Sequence, residues 1–170
     1  MRATNTFSVK GYVIVRVLDA KTRKELYRYE TPNVICTGFK TAVSKLLVNS
    51  ETNADPVANQ LYAIGAGDGT DVPDSSDTAL SGTHLSTRKA FYTRGYNVGG
   101  VAGLSEITTI FENADDNQPT GVYYQEVALF TKGSMTTDQL MVARQLHAPI
   151  HKDSSIALEY TWRIQITLPS

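Results

Sequence analysis

The chain reads as a mainly β protein, an antiparallel β-sandwich of jelly-roll type carrying one short α-helix over about residues 38–48. Three observations predict this. Between Ile156 and Leu168 an apolar side chain falls at every second position (Ile156, Leu158, Tyr160, Trp162, Ile164, Ile166, Leu168), with mostly polar residues between them. Successive side chains of a strand point to opposite faces, so this period of two puts one face in a core and one in water. Burying those side chains contributes roughly 10–20 kcal/mol of gross hydrophobic stabilisation at about 1.5–3 kcal/mol each, before chain entropy is subtracted. The second observation is that similar alternation recurs along most of the chain, and the third is that one segment only, after Pro32, carries helical spacing.

In chain order, Phe7, Val9, Val13, Val15 and Val17 alternate with Lys10, Tyr12, Ile14, Arg16 and Leu18 as a long first strand, with Gly11 marking a bulge. The polar run Asp19 to Lys24 turns the chain, and Glu25 to Glu30 returns as the second strand of a hairpin. Thr37 is placed to cap a helix whose Phe39, Val43, Leu46 and Leu47 recur on one face. Asn49 to Gln60 reads as a connector, Leu61 to Ile64 as a short strand ending in a flexible glycine-bearing turn, and residues 65–88 as a long loop. Lys89 to Tyr96, Ser105 to Asn113, Gly121 to Thr131, Leu140 to His147 and the terminal segment complete the strands.

A length of 170 residues fits a single domain over 1–170, with an N-terminal arm at 1–6 and the long loop at 65–88. Sixteen Lys and Arg nearly balance 17 Asp and Glu, so the chain offers no strong field for a polyanion, and no nucleic-acid partner is expected. Apolar stretches fall far short of a membrane span and Met1 to Asn5 lacks the apolar core of a secretion signal, so synthesis in the cytoplasm and no membrane partner are expected. The single cysteine, Cys36, follows Val34 and Ile35 and reads as a small buried hydrophobe.

Each constellation that suggests chemistry has a plainer reading beside it. Gly65, Gly67 and Gly69 resemble a phosphate cradle, but the spacing is not that of a dinucleotide fingerprint and no P-loop lysine follows. Asp68, Asp71, Asp74 and Asp77 recur at every third residue; they hold calcium if their carboxylates converge, and otherwise form a solvated acidic loop. His147 and His151 have a zinc-like spacing, with His84 as a remote third ligand, but Pro149 intervenes and the pattern before it is a strand. No serine sits in a nucleophile elbow. Glu126 and Arg144 each interrupt an apolar face, and the simplest account is a structural ion pair between neighbouring strands. With no paired acids and no clustered metal ligands, neither an enzyme nor a cofactor is expected.

Several short motifs stand in a telling order. Asn33, Ile35 and Gly38 precede the helix; Ala63-Ile64-Gly65-Ala66-Gly67, Asp77-Thr78-Ala79-Leu80 and Arg88 follow. The second half carries Glu126-Val127-Ala128-Leu129-Phe130, Val142-Ala143-Arg144, Pro149-Ile150 with Lys152, and Leu158, Tyr160 and Trp162. Across most of the chain this series resembles a group of tailed-bacteriophage virion proteins. The glycine-rich turn is lengthened here by Thr70 to Ser76, and Ala128 stands where many relatives look to have glycine. The resemblance implies a small β-sandwich that is part of a phage particle. As a capsid cement or decoration protein it would bind the major capsid protein, as a homo-oligomer with a trimer fitting local threefold positions. The alternative is a tail-fibre or baseplate module bound to tail proteins, with exposed Tyr92, Tyr96, Tyr123 and Tyr124 offered to a host glycan. The absence of a coiled-coil or fibrous extension favours the head. On this reading the chain is located in the virion, and its expected partner contacts are Asp68, Asp71, Asp74 and Asp77 of the loop and Arg2 and Thr4 of the arm, because irregular backbone can order on a partner.

Overall fold

The alternation at the end of the chain becomes the centre of a sheet. A computed structural model describes residues 8–48, 59–133 and 139–167. In it the segment Ile156–Thr167 is the tenth strand, β10, flanked on both sides by antiparallel neighbours. The strands before it are β1 (Ser8–Asp19), β2 (Glu25–Pro32), β3 (Val34–Ile35), β4 (Leu61–Gly67), β5 (Lys89–Ala90), β6 (Thr93–Tyr96), β7 (Leu104–Phe111), β8 (Tyr124–Thr131) and β9 (Met141–Ile150), and the helix α1 spans Thr37–Val48. Two five-stranded antiparallel sheets, ordered β2-β1-β10-β7-β6 and β3-β9-β8-β4-β5, form a β-sandwich.

The core lies between the sheets. Val13, Val15 and Val17 of β1 stand opposite Trp162, Tyr160 and Leu158 of β10, and together with Ile107 and Phe111 they meet Ile64, Ala66, Val127 and Leu129 of the second sheet. Ala157 and Thr161, on the other face of β10, are buried as well, because long side chains of the adjoining strands close over a central strand. Ile166, near the end of β10, is 44% exposed. Leu168 and Phe7 lie outside the described residues.

Several local expectations are corrected. Gly11 is in regular register with Ile164, and the β1–β2 irregularity lies at Val17 and Leu18. What Gly11 supplies is room: a Cβ there would strike the Asn33 side chain, whose amide donates to the Gly11 carbonyl and accepts from the Trp162 indole N–H. Thr37 does not cap α1; its hydroxyl donates to the Ser75 carbonyl at 2.8 Å and so fastens the helix start to the long loop. Only the first turns of α1 pack, through Ala42 with half-buried Phe39 and Val43, while Leu46 and Leu47 are exposed. β4 runs on through Gly67 instead of ending at Ile64. The segment Lys89 to Tyr96 is two strands, since the chain leaves the second sheet after β5 and joins the first as β6, with Tyr92 N–H already bonded to the Thr108 carbonyl at 2.7 Å. β9 continues through Pro149 to Ile150, beyond the short β3, where its second edge has no described strand and a proline costs no ladder bond.

Candidate functional site

The outer face of the second sheet holds the densest polar cluster among the described residues. β-Bulges are what place it. Along β8, Tyr124 faces the inter-sheet core, but a shift in register between Tyr124 and Glu126 turns Glu126, Ala128 and Phe130 to the opposite, outer face. In β9, Arg144 stands across from Ala128, so its side chain reaches diagonally to Glu126. Glu126 is fully buried and Arg144 is 1% exposed, because residues 68–88 fold back over this face.

The glycine run is the inner wall of that cover. Glu126 Oε1 accepts the backbone N–H groups of Gly69 at 3.1 Å and Gly82 at 2.7 Å, and Oε2 accepts that of Ser81 at 3.1 Å. Arg144 closes the other side, its Nε 3.0 Å and its Nη2 2.9 Å from Glu126 Oε2. A Cβ on Gly69 would run into Glu126 Oε1, and one on Gly82 into Asp68 Oδ1 and the Gly69 backbone. The loop that resembles a phosphate cradle thus cradles the chain's own carboxylate. Taking two charges out of water costs several kcal/mol per ion, and the three amide donors and the two-pronged contact with Arg144 offset that cost.

Arg144 also binds the loop along its length. Nη1 lies 2.7 Å from Asp77 Oδ2, and Nη2 donates to the Asp71 carbonyl at 3.0 Å and to Ser81 Oγ at 2.8 Å. The returning limb of the loop pairs alongside the end of β4, through Ser86 N–H to the Ala66 carbonyl at 2.8 Å and an antiparallel bridge between Gly67 and Leu85. Leu80 packs on Cys36, Ala128, Phe130 and Met141, and the Arg88 guanidinium sits 3.8 Å over the Phe130 ring.

The four aspartates therefore do different things. Asp77 turns inward to Arg144. Asp68 accepts from His84 N–H and lies 2.9 Å from His84 Nδ1; desolvation opposes ionisation, but these bonds hold its carboxyl below the usual range. Asp74 accepts the hydroxyl and N–H of Ser76, which lower its pKa. Asp71 contributes its backbone carbonyl and is exposed. Their carboxylates do not converge, and among the described residues no three His, Cys, Asp or Glu side chains form a metal-binding group. Arg2 and Thr4 lie outside the described residues.

Two buried titratable groups lie elsewhere. His147 Nδ1 faces the Ala148 carbonyl at 2.8 Å, so it carries the proton, and Nε2 accepts from the buried Tyr160 hydroxyl at 3.0 Å. Desolvation pushes the imidazole down to about 4, which keeps the ring neutral. His151 bonds separately to the Val122 carbonyl. Lys152, also fully buried, donates to Asn117 Oδ1 at 2.9 Å and to the Asp153 carbonyl at 3.1 Å, while burial lowers its pKa against the pull of Asp115, Asp153 and Asp116. Burial raises the Cys36 thiol to about 11. Of the four tyrosines, Tyr124 is fully buried, Tyr123 packs edge-on against His151, and Tyr92 and Tyr96 stand in solvent.

Reading the sequence missed Gly69, Gly82 and Ser81 as the donors to Glu126, and Asp77 as the second anion on Arg144. The only signal was the glycine spacing beside an acidic loop. Searched against protein-family models, curated proteins and solved structures, the chain matches none.

Proposed function

We propose that this chain is a structural component of a tailed-phage particle, a cement or decoration protein that binds the capsid shell through protein–protein contacts as a homo-oligomer. One observation carries the reading. The residues on which the resemblance rests run from Asn33 to Trp162, and a subset of them far apart in the chain, Gly65, Gly67, Asp77, Leu80, Arg88, Glu126, Ala128, Phe130 and Arg144, meets on one covered sheet face. A motif set that assembles into one architectural unit is what a shared fold would preserve. The bonding capacity of the cluster is also spent within the chain: Glu126 takes three amide donors and a guanidinium, and Arg144 takes two carboxylates, a carbonyl and a hydroxyl. This buried charge works as framework, which suits a protein whose task is mechanical.

The test is to dissociate purified particles, separate heads from tails and quantify the chain against the major shell protein. Recovery with heads in stoichiometric amounts, with a loss of shell heat resistance when the chain is removed, is the expected result. Recovery with tails at low copy would replace the capsid address with a fibre or baseplate one, and absence from both would end the virion reading.

A further inference from the structure

The outer face of the first sheet is built differently, as an open trough with a polar lining. Its floor is a row running across the strands: Thr93 pairs with Thr108, Thr108 with Thr161, and Thr161 with Ile14. Thr108 and Thr161 share a hydrogen bond at 2.9 Å and are nearly buried, because longer side chains rise on either side. One wall is Arg163, whose Nε lies 2.7 Å from Glu106 Oε2. The other is Arg16, held between Glu159 at 2.7 Å and Glu25 at 2.6 Å. Tyr92, 72% exposed, stands at the β6 end, where the chain crosses between sheets. The trough encloses about 320 Å³, and on the far side of Tyr92 a second hollow of about 260 Å³ is lined by Tyr62, Phe91 and Arg94.

We propose that this trough is a carbohydrate-binding site for a neutral oligosaccharide, with Tyr92 as the platform on which one sugar ring stacks. The chemistry of the lining selects this ligand class. Arg16, Arg28 and Arg163 all line the trough, and each is paired with a carboxylate, Arg16 with both Glu25 and Glu159, Arg28 with Glu30 at 3.4 Å and Arg163 with Glu106, so the walls present little net positive charge to draw a phosphate, sulfate or carboxylate. What the pairs still offer is fixed N–H donors beside carboxylate acceptors, the combination that holds adjacent sugar hydroxyls, each of which both donates and accepts. The tyrosine ring supplies a flat apolar surface for the C–H face of a pyranose at low entropic cost. The hollow beyond Tyr92 gives a chain of sugars a way past the platform. Phe91, the residue before Tyr92, packs against the core, and Tyr92 N–H is bonded to β7, so the ring is carried on a fixed backbone. The inference does not depend on whether the chain sits on a head or a tail.

The test is backbone amide NMR of the whole chain titrated with soluble chito-, malto- and galacto-oligosaccharides and, in parallel, with a sulfated oligosaccharide. A neutral probe is expected to shift Thr93, Thr108 and Thr161, and Tyr92→Ala is expected to weaken that binding about tenfold with an unchanged melting temperature. Tyr123→Ala, on a tyrosine that packs against His151, serves as the control and leaves the affinity as it was. The proposal is overturned if no neutral probe shifts those amides, if only the sulfated one does, or if Tyr92→Ala binds like the parent chain.

Discussion

The two outer faces of the sandwich use the same ion pair to opposite ends. On the second sheet, Glu126 and Arg144 are sealed beneath residues 68–88 and their bonds hold the cover in place. On the first sheet, Arg163–Glu106 and Arg16–Glu25 lie open to water. The residue types match and the hydrogen-bond lengths are similar, so pairing alone does not decide what a charge contributes. What differs is what happens when one partner is lost: water replaces it on the open face, and nothing replaces it under the loop.

The largest expected effect follows directly. Arg144→Ala leaves a buried carboxylate without its cation and should cost about 3–5 kcal/mol in denaturant unfolding. Glu126→Ala should fall in the same range, and the double variant should cost much less than the sum of the two, since each single change strands the other's charge. Additive losses would mean that the covered face behaves like the open one.

The layer between the faces supplies the next prediction. Above pH 6.5 the His147 ring is neutral in both folded and unfolded chains; as pH falls, the unfolded ring takes a proton first and the buried one follows only near pH 4. Stability is therefore present above pH 6.5 and lost as pH falls toward 4, by roughly 3 kcal/mol in all at about 1.4 kcal/mol per pKa unit. His147→Gln should flatten that window in melts followed from pH 7 to 4. Loss at still lower pH then belongs to carboxylates such as Asp68 and Asp74, whose lowered pKa values place their loss of charge there.

Smaller effects sharpen the contrast. Gly69→Ala drives a methyl group toward Glu126 Oε1 and should cost about 1–3 kcal/mol, with faster amide exchange along residues 68–88. On the open face, Arg163→Ala should cost less than about 1 kcal/mol in the same unfolding assay and should matter less still at high salt.

How much of this was legible in the sequence depends on how local the cause is. The period of two in Ile156 to Leu168 announces a strand with one core face because alternation is a property of neighbouring residues. Glu126 and Arg144 stand out for the same reason, each breaking an apolar run. The bulge before Glu126 was not legible: one displaced residue reverses which face a side chain takes, and the sequence places Tyr124 and Glu126 together where the fold separates them. Neither was the break between Ala90 and Thr93, where an unbroken strand pattern hides a change of sheet. Asp77 reads as one acid in a solvated series because its partner lies far along the chain. Leu46 and Leu47 complete a helical stripe, yet α1 meets β9 through its first turns only, and periodicity does not say how far a helix reaches across its neighbour.

The pairing of β1 with β10 sets the order in which the fold can be completed. Val13, Val15 and Val17 emerge with the first hairpin, but Trp162, Tyr160 and Leu158, which stand opposite them, belong to the last strand in chain order. During synthesis that valine edge waits for nearly the whole remaining chain, and contacts so distant in sequence make closure slow. Until β10 arrives, the unpaired edge of β1 is open to another nascent copy, and this interval, more than the finished sandwich, is where aggregation competes with folding.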